Sequence, residues 1–234
     1  MIIAFDPDAI DRRVLQAVKR RLRENILLID NHDSFTPHLA AACRVAGAEV
    51  EVVSNAIAAD DAFAYAQRYD ASIMLSPGPG GPREAGCCME LVAFAAGRVP
   101  VIGICLGHQA IVEHHGGRVV RAHEPCHGKS SMVEHDASGP FSGLASPMRV
   151  GRYHSLCTPL NQIPDRLRVH AVLDGMAMAV SNDREGQFGL QFHPESILTP
   201  LGSLLVDGML DWAAERRRVF ARLTAAVPAG KVAA

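Results

Sequence analysis

The sequence predicts an α/β fold: an open, mostly parallel sheet flanked by helices, with a smaller antiparallel strand element and an extra N-terminal helix. Three observations carry that expectation. Short apolar runs of strand length alternate with helical stretches between Asn25 and His115, the rhythm of parallel strands buried on both faces. Beyond Gly117 the runs become shorter and alternate with polar residues. Apolar residues make up 48% of the 234, enough for one sizeable domain with a buried core and no room for a second of full size.

The elements follow in order. Over Asp6–Arg23 a capping Asp6, Pro7 in the first turn and Lys19, Arg20, Arg21 and Arg23 at the close match the helix dipole. Ile10, Val14, Val18 and Leu22 share one face of that helix, which packs either on this domain or on a partner. Strand-like runs are Ile26–Ile29, Glu49–Val53, Ser72–Leu75 and Pro100–Ile104, with helices over Leu39–Val45, Ala62–Gln67, Ala85–Ala96 and His108–His115 between and after them. A later strand covers Gln187–Phe192, and an amphipathic helix runs from Leu201 to Arg222. Arg216, Arg217 and Arg218 fit its solvated end. The organisation is therefore an N-terminal helical extension (1–24), one domain (25–224) and a flexible tail (225–234).

Composition excludes several roles. A formal charge of −2 lacks the basic excess that contact with nucleic-acid phosphates needs. The opening apolar run stops at Asp6, too soon for a signal peptide, and no later run is long enough to span a membrane. Cys43, Cys87, Cys88, Cys105, Cys126 and Cys157 show no CxxC pairing; in a chain of this size they read as reduced thiols, which implies a cytoplasmic protein.

Chemistry concentrates at three joins between strand and loop. Gly103-Ile104-Cys105-Leu106-Gly107 lies where an apolar run meets a helix, the cysteine form of a nucleophile elbow. Flanking glycines relieve the crowding of a sharp turn, and a helix N-terminus favours thiolate over thiol. Of eleven histidines, His193 directly follows a strand, in Phe192-His193-Pro194-Glu195-Ser196. In extended chain His193 and Glu195 would project to the same side, letting the carboxylate orient the imidazole. Ser76-Pro77-Gly78-Pro79-Gly80-Gly81-Pro82 follows another strand and offers unobstructed backbone N–H groups, suited to an oxyanion or a carboxylate. With no GlyLysSer or GlyLysThr and no GxGxxG register, it is not a nucleotide loop. Each piece alone also reads as structure: a buried cysteine, a simple turn, a glycine-rich bend.

Taken together, Asp30-Asn31-His32-Asp33-Ser34-Phe35-Thr36, Ser76 to Gly80, Gly103 to Ala110, His127-Gly128-Lys129, Arg152-Tyr153-His154-Ser155-Leu156 and Phe192 to Ile197 resemble, in order and spacing, the class I glutamine amidotransferases. The resemblance spans roughly residues 25 to 213. It implies the fold of that family, no cofactor and no metal. It also implies Cys105, His193 and Glu195 as the catalytic residues, with Cys105 attacking the side-chain amide of L-glutamine. The N–H groups of Gly80 and Leu106 would hold the oxyanion, while Gly78, Pro79, Gly80, Gln109, Ser155 and Leu156 would bind glutamine. Met176 to Val180 and His193 to Thr199 make the chain most similar to the amidotransferase subunit of anthranilate synthase. That subunit sends ammonia to a chorismate-using synthase partner; the counterpart in aminodeoxychorismate synthase is the alternative. His32, Pro37, His38, Cys126 and the N-terminal helix depart from the family pattern without removing a catalytic group, and bear on which synthase is the partner.

Three other readings compete. A free-standing cysteine hydrolase of γ-glutamyl compounds would keep the Cys-His pair but not need the SerProGlyProGly loop or Gln109. A metal or redox centre would draw on Cys87-Cys88, His114-His115 and Cys126-His127, but adjacent ligands rarely reach one ion and no CxxC or HExxH spacing is present. A binding subunit without activity would not keep all three catalytic positions.

Overall fold

The computed structural model describes residues 24–226, so the helix expected over Asp6–Arg23 and most of the expected tail lie outside the described residues. Strand and helix alternate as the sequence rhythm requires: β1 (Asn25–Asp30), α1 (Thr36–Val45), β2 (Glu49–Ser54), α2 (Ala59–Arg68), β3 (Ala71–Leu75), α3 (Cys88–Ala95), β4 (Val101–Ile104) and α4 (Leu106–His114). β3 and β4 are buried at every position, which is why they read as unbroken apolar runs. Shorter strands follow: β5 (Val120–Arg121), β6 (Lys129–His135), β7 (Met148–Arg152), β8 (Leu156–Cys157), β9 (Arg168–Leu173), β10 (Met176–Asn182) and β11 (Gln187–Leu190). The last helix, α5 (Gly202–Ala226), continues past the expected Arg222.

Several boundaries differ from expectation by a few residues, two of them for clear local reasons. α1 starts at Thr36 rather than Leu39, because Pro37 is tolerated in a first turn and the Asp30 carboxylate, after accepting from His32 N at 2.9 Å, anchors the Thr36 hydroxyl at 2.7 Å. α3 starts at Cys88 rather than Ala85: Pro82–Glu84 forms a single tight turn and Gly86 adopts φ 53°, which a helix cannot contain.

One nine-stranded sheet runs in the order β2-β1-β3-β4-β11-β10-β9-β6-β7, and β5 pairs with β8 in a separate two-stranded sheet. The strands from β2 to β11 in that order are mutually parallel, and those from β10 to β7 continue the sheet antiparallel. The antiparallel element is thus largely an extension of the main sheet. Core residues fall on both faces: Phe188, Phe192, Trp212 and Leu205 on one side, Leu27, Ile73, Leu91 and Ile111 on the other. Glu24 leads into β1, where its side chain bonds Ser72 and Arg217 of α5. Burial pushes that carboxyl up to about 7, against the pull of Arg217.

The consequence for function lies in one pairing. β11 runs parallel to β4 with Leu190 opposite Ile104, so whatever follows each strand emerges at the same end of the sheet. In open parallel sheets that carboxyl end, where connections part to either face, is where ligands bind.

Candidate active site

Cys105 is the residue immediately after β4, and its backbone N–H donates to the Leu190 carbonyl at the end of β11 at 2.7 Å. The chain turns there from strand to helix within one residue, holding Cys105 at φ 52°, ψ −97°. That conformation costs a residue with a side chain about 1–3 kcal/mol. The turn is possible because its flanks have no Cβ: one on Gly103 would lie 2.3 Å from Gly107 backbone atoms, and one on Gly107 2.7 Å from Leu75. Cys105 is 7% exposed at the N-terminus of α4. There the N–H of Leu106 is among the first-turn amides that the helix leaves unbonded.

His193 reaches the same place from β11. Its backbone is pinned on both sides: N–H donates to Gly151 O at 3.1 Å, and its carbonyl accepts from the Thr199 hydroxyl at 2.6 Å and from Ser196 N at 3.3 Å. His193 Nδ1 bonds Glu195 Oε1 at 2.7 Å, with both side chains buried. Nε2 is buried with no hydrogen bond of its own. The expected neighbours are therefore together, but the reason differs from the expectation. Residues 193–196 form a turn closed by Ser196 N rather than extended chain, and the turn brings Glu195 back under the imidazole.

Electrostatics separate the histidines around this point. Burial disfavours a charged His193, but interactions with Cys105 and Glu195 outweigh it and hold the pKa up at about 10. Burial instead pushes His108 and His154 down to about 4, leaving them neutral. One residue type is thus held in opposite protonation states by its surroundings. Phe35 and Tyr153 wall the His193 ring, with centroids 5.1 and 5.0 Å away, and the Tyr153 hydroxyl bonds Ser196 Oγ at 3.0 Å. Cys43, by contrast, is pushed up to about 12 by burial and the Glu195 charge. All six cysteines are buried and unbridged.

The loop after β3 packs against Leu106, the residue next to Cys105. Gly78 packs so tightly that an added Cβ would fall 2.6 Å from the Asn31 Cβ and 3.3 Å from Leu106 Cδ1. Pro79 and Gly80 are exposed, Gly80 at φ 75°. Asn31 fastens the loop: its backbone N–H donates to Ser76 Oγ at 2.8 Å and its Nδ2 to Ser76 O at 2.9 Å. Asn31 Oδ1 in turn accepts from Asn55 and Cys88. Asn31→Ala strands the buried Ser76 carbonyl and those donors, so unfolding free energy should fall by about 1–3 kcal/mol. A denaturant melt measures that loss, and amide exchange over residues 76–80 should quicken; unchanged values for both would separate Asn31 from the loop.

Gln109 is 2% exposed in α4 and donates from Nε2 to Leu156 O at 3.4 Å. The helix and β8, far apart in sequence, therefore meet at the site. Ser155 is exposed beside Leu156, its carbonyl held by Ala122 N at 2.8 Å. Sequence reasoning assigned no role to Asn31, Phe35, Tyr153 or Gln191, although the first three stood inside its motifs. Gln191 had a signal: a polar residue inside the apolar run Leu190-Gln191-Phe192.

His114 and His115 do end a helix, and, although adjacent ligands rarely reach one ion, their ring nitrogens face one carboxylate. His114 Nε2 lies 3.2 Å and His115 Nε2 3.9 Å from the same Glu185 oxygen, and the three donors fall within 4.8 Å of one another. His115 Nε2 also meets Gln187 Oε1 at 2.7 Å, so hydrogen bonds join the group. It sits at the end of α4 remote from Cys105. His170 is satisfied by Ser181, Ser138 and Asp136.

The arrangement sets the Cys105 sulfur, at a helix start, beside an imidazole that bonds the Glu195 carboxylate and that Cys105 and Glu195 keep protonated, a pairing able to form and break a thioester. Comparison with known proteins shows the family. The family described as "Glutamine amidotransferase class-I" matches residues 27–211. Anthranilate synthase component 2 of Vibrio parahaemolyticus is 44% identical over 193 residues, covering 82% of this chain and 97% of that protein. Anthranilate synthase component 2, pyocyanine specific, of Pseudomonas aeruginosa is 45% identical over 190 residues, covering 80% and 93%. The crystal structure of a putative GMP synthase subunit from Thermoplasma acidophilum superposes with a TM-score of 0.73 over 84% of this chain and 96% of that one. At 24% identity it speaks for the fold alone.

Proposed function

We infer from the chain's membership of the class I glutamine amidotransferases, the family to which it belongs over residues 27–211, that it hydrolyses L-glutamine and delivers ammonia to a chorismate-using synthase subunit, that of anthranilate synthase. The observation that carries the reading is the parallel pairing of β4 with β11, which sets Cys105 and His193 at one end of the sheet. The relatives' shared name, anthranilate synthase component 2, supports the choice of synthase.

In this reading the Cys105 thiolate adds to the side-chain carbonyl carbon of glutamine. The oxygen takes the negative charge, within reach of the Leu106 and Gly80 N–H groups. His193 gives its proton to the departing nitrogen, the C–N bond breaks, and ammonia leaves a glutamyl thioester. The now neutral imidazole takes a proton from water as the hydroxide adds to the thioester. Collapse expels the sulfur, releases glutamate and returns the site to its starting charge. Glu195 keeps the imidazole turned to the sulfur throughout. Gly78, Pro79, Gln109, Ser155 and Leu156 hold the amino-acid end of the substrate.

The test mixes the chain with the chorismate-using subunits of anthranilate synthase and of aminodeoxychorismate synthase and identifies the aromatic product formed from glutamine. Anthranilate with the first, and a rise in glutamine hydrolysis on mixing, is the expected result. Product only with the second would move the chain to the other synthase. Hydrolysis unresponsive to either would favour a free-standing hydrolase.

A further inference from the structure

We propose that Gln191 is a positioning residue that ties recognition of the substrate's amino group to activation of the Cys105 sulfur; the inference rests on the glutaminase reading above. Gln191 follows β11, is wholly buried, and has its backbone N–H fixed on Met178 O at 2.9 Å. Its Nε2 donates to Cys105 Sγ at 3.6 Å, and its Oε1 accepts from Gln109 Nε2 at 3.1 Å. Gln109 Nε2 also donates to Leu156 O at 3.4 Å.

The direction of this chain of bonds is forced. A backbone carbonyl only accepts, so Leu156 O requires the Gln109 nitrogen on its side, and both Nε2 hydrogens of Gln109 are then used within the protein. Gln191 must meet that nitrogen with its oxygen and the sulfur with its N–H. Two consequences follow. An N–H aimed at the sulfur stabilises thiolate over thiol, where a reversed amide would set an oxygen against it. Gln109 is left with only Oε1 to offer a substrate, an acceptor that suits a protonated amine and rejects a carboxylate. Gln191 therefore turns a donor to the nucleophile and fixes the polarity of the recognition group one helical turn away.

Two variants and two readouts test this in the full chain with its synthase. Alkylation of Cys105 by iodoacetamide, located by peptide mapping and followed against pH, reports the thiolate directly. Relative kcat/KM for glutamine and for its analogue lacking the α-amino group reports Gln109. Gln191→Leu should move the alkylation midpoint upward, lower kcat/KM for glutamine about 10- to 100-fold and shrink the preference for the amine about tenfold. Gln191→Glu keeps an acceptor for Gln109 but loses the donor at sulfur, so it should move the midpoint upward and keep the preference. A Gln191→Leu chain that melts like the wild type, with midpoint and preference unchanged, overturns the proposal. If that variant fails to fold, an unmoved midpoint in Gln191→Glu overturns it instead. A wild-type complex that does not hydrolyse glutamine overturns the glutaminase reading, and the alkylation arm still decides the role of Gln191 at the sulfur.

Discussion

Cys105→Ala is expected to remove glutamine-dependent product formation by at least about 10⁴-fold, while the synthase complex continues to work with ammonium salts. The size follows from the proposed role: without this sulfur the thioester does not form, and the groups that remain can bind substrate without opening its amide. The position also stores strain. Cys105 sits at φ 52° with a side chain, so Cys105→Gly, which lacks the sulfur as the alanine variant does, should be equally inactive yet more stable than Cys105→Ala, by about 1 kcal/mol or more. Paired ammonia- and glutamine-dependent assays with a denaturant melt check both halves. Surviving glutamine turnover would mean a different nucleophile, and a glycine variant less stable than the alanine one would mean that the bend is not strained.

Glu195→Gln carries the second large effect. It keeps the shape of the side chain and removes the charge that orients His193 through the 2.7 Å bond. A loss of at least about 10²-fold in kcat is expected with the fold intact, by analogy with the orienting carboxylate of other triads. The pH behaviour supplies an independent check. His193 in the folded chain is raised from 6.5 to about 10 by Cys105 and Glu195, against burial. A raised cationic group contributes stability that is complete below 6.5 and is lost as pH climbs to about 10. With glutamine at 195 the imidazole loses one of its two supports, so the decline of stability between those values should become shallower and end at lower pH. Unfolding free energies measured across that window, together with kcat, decide the point. Unaltered kcat and an unaltered slope would take Glu195 out of the account.

How much of this was legible in the sequence depends on how local the cause was. β1 to β4 and their helices were readable because each strand announces itself by its own apolar run and each helix by its own period. The elbow was readable for the same reason: Gly103 and Gly107 are needed by contacts within a few residues and with the adjoining strand. The placement of β11 beside β4 was not, since register between distant strands is written in no local pattern; only the order of motifs hinted that His193 returns to Cys105. Gln191 escaped for that reason as well, because both of its side-chain partners lie in β4's exit and in α4. The turn at 193–196 escaped because Pro194 is compatible with extended chain and with a turn alike. His114 and His115 converge on Glu185 because the turn between β10 and β11 is delivered to the end of α4 by the sheet, a tertiary fact.

The central claim is that the sulfur at the β4 exit carries the glutamyl group during turnover. The most direct measurement is to quench the complex with acid while it is consuming glutamine, digest it and find the glutamyl group by mass spectrometry. The account predicts the group on the peptide containing Cys105 and its absence in Cys105→Ala. A glutamyl group on any other residue, or undiminished hydrolysis by the alanine variant, would contradict it.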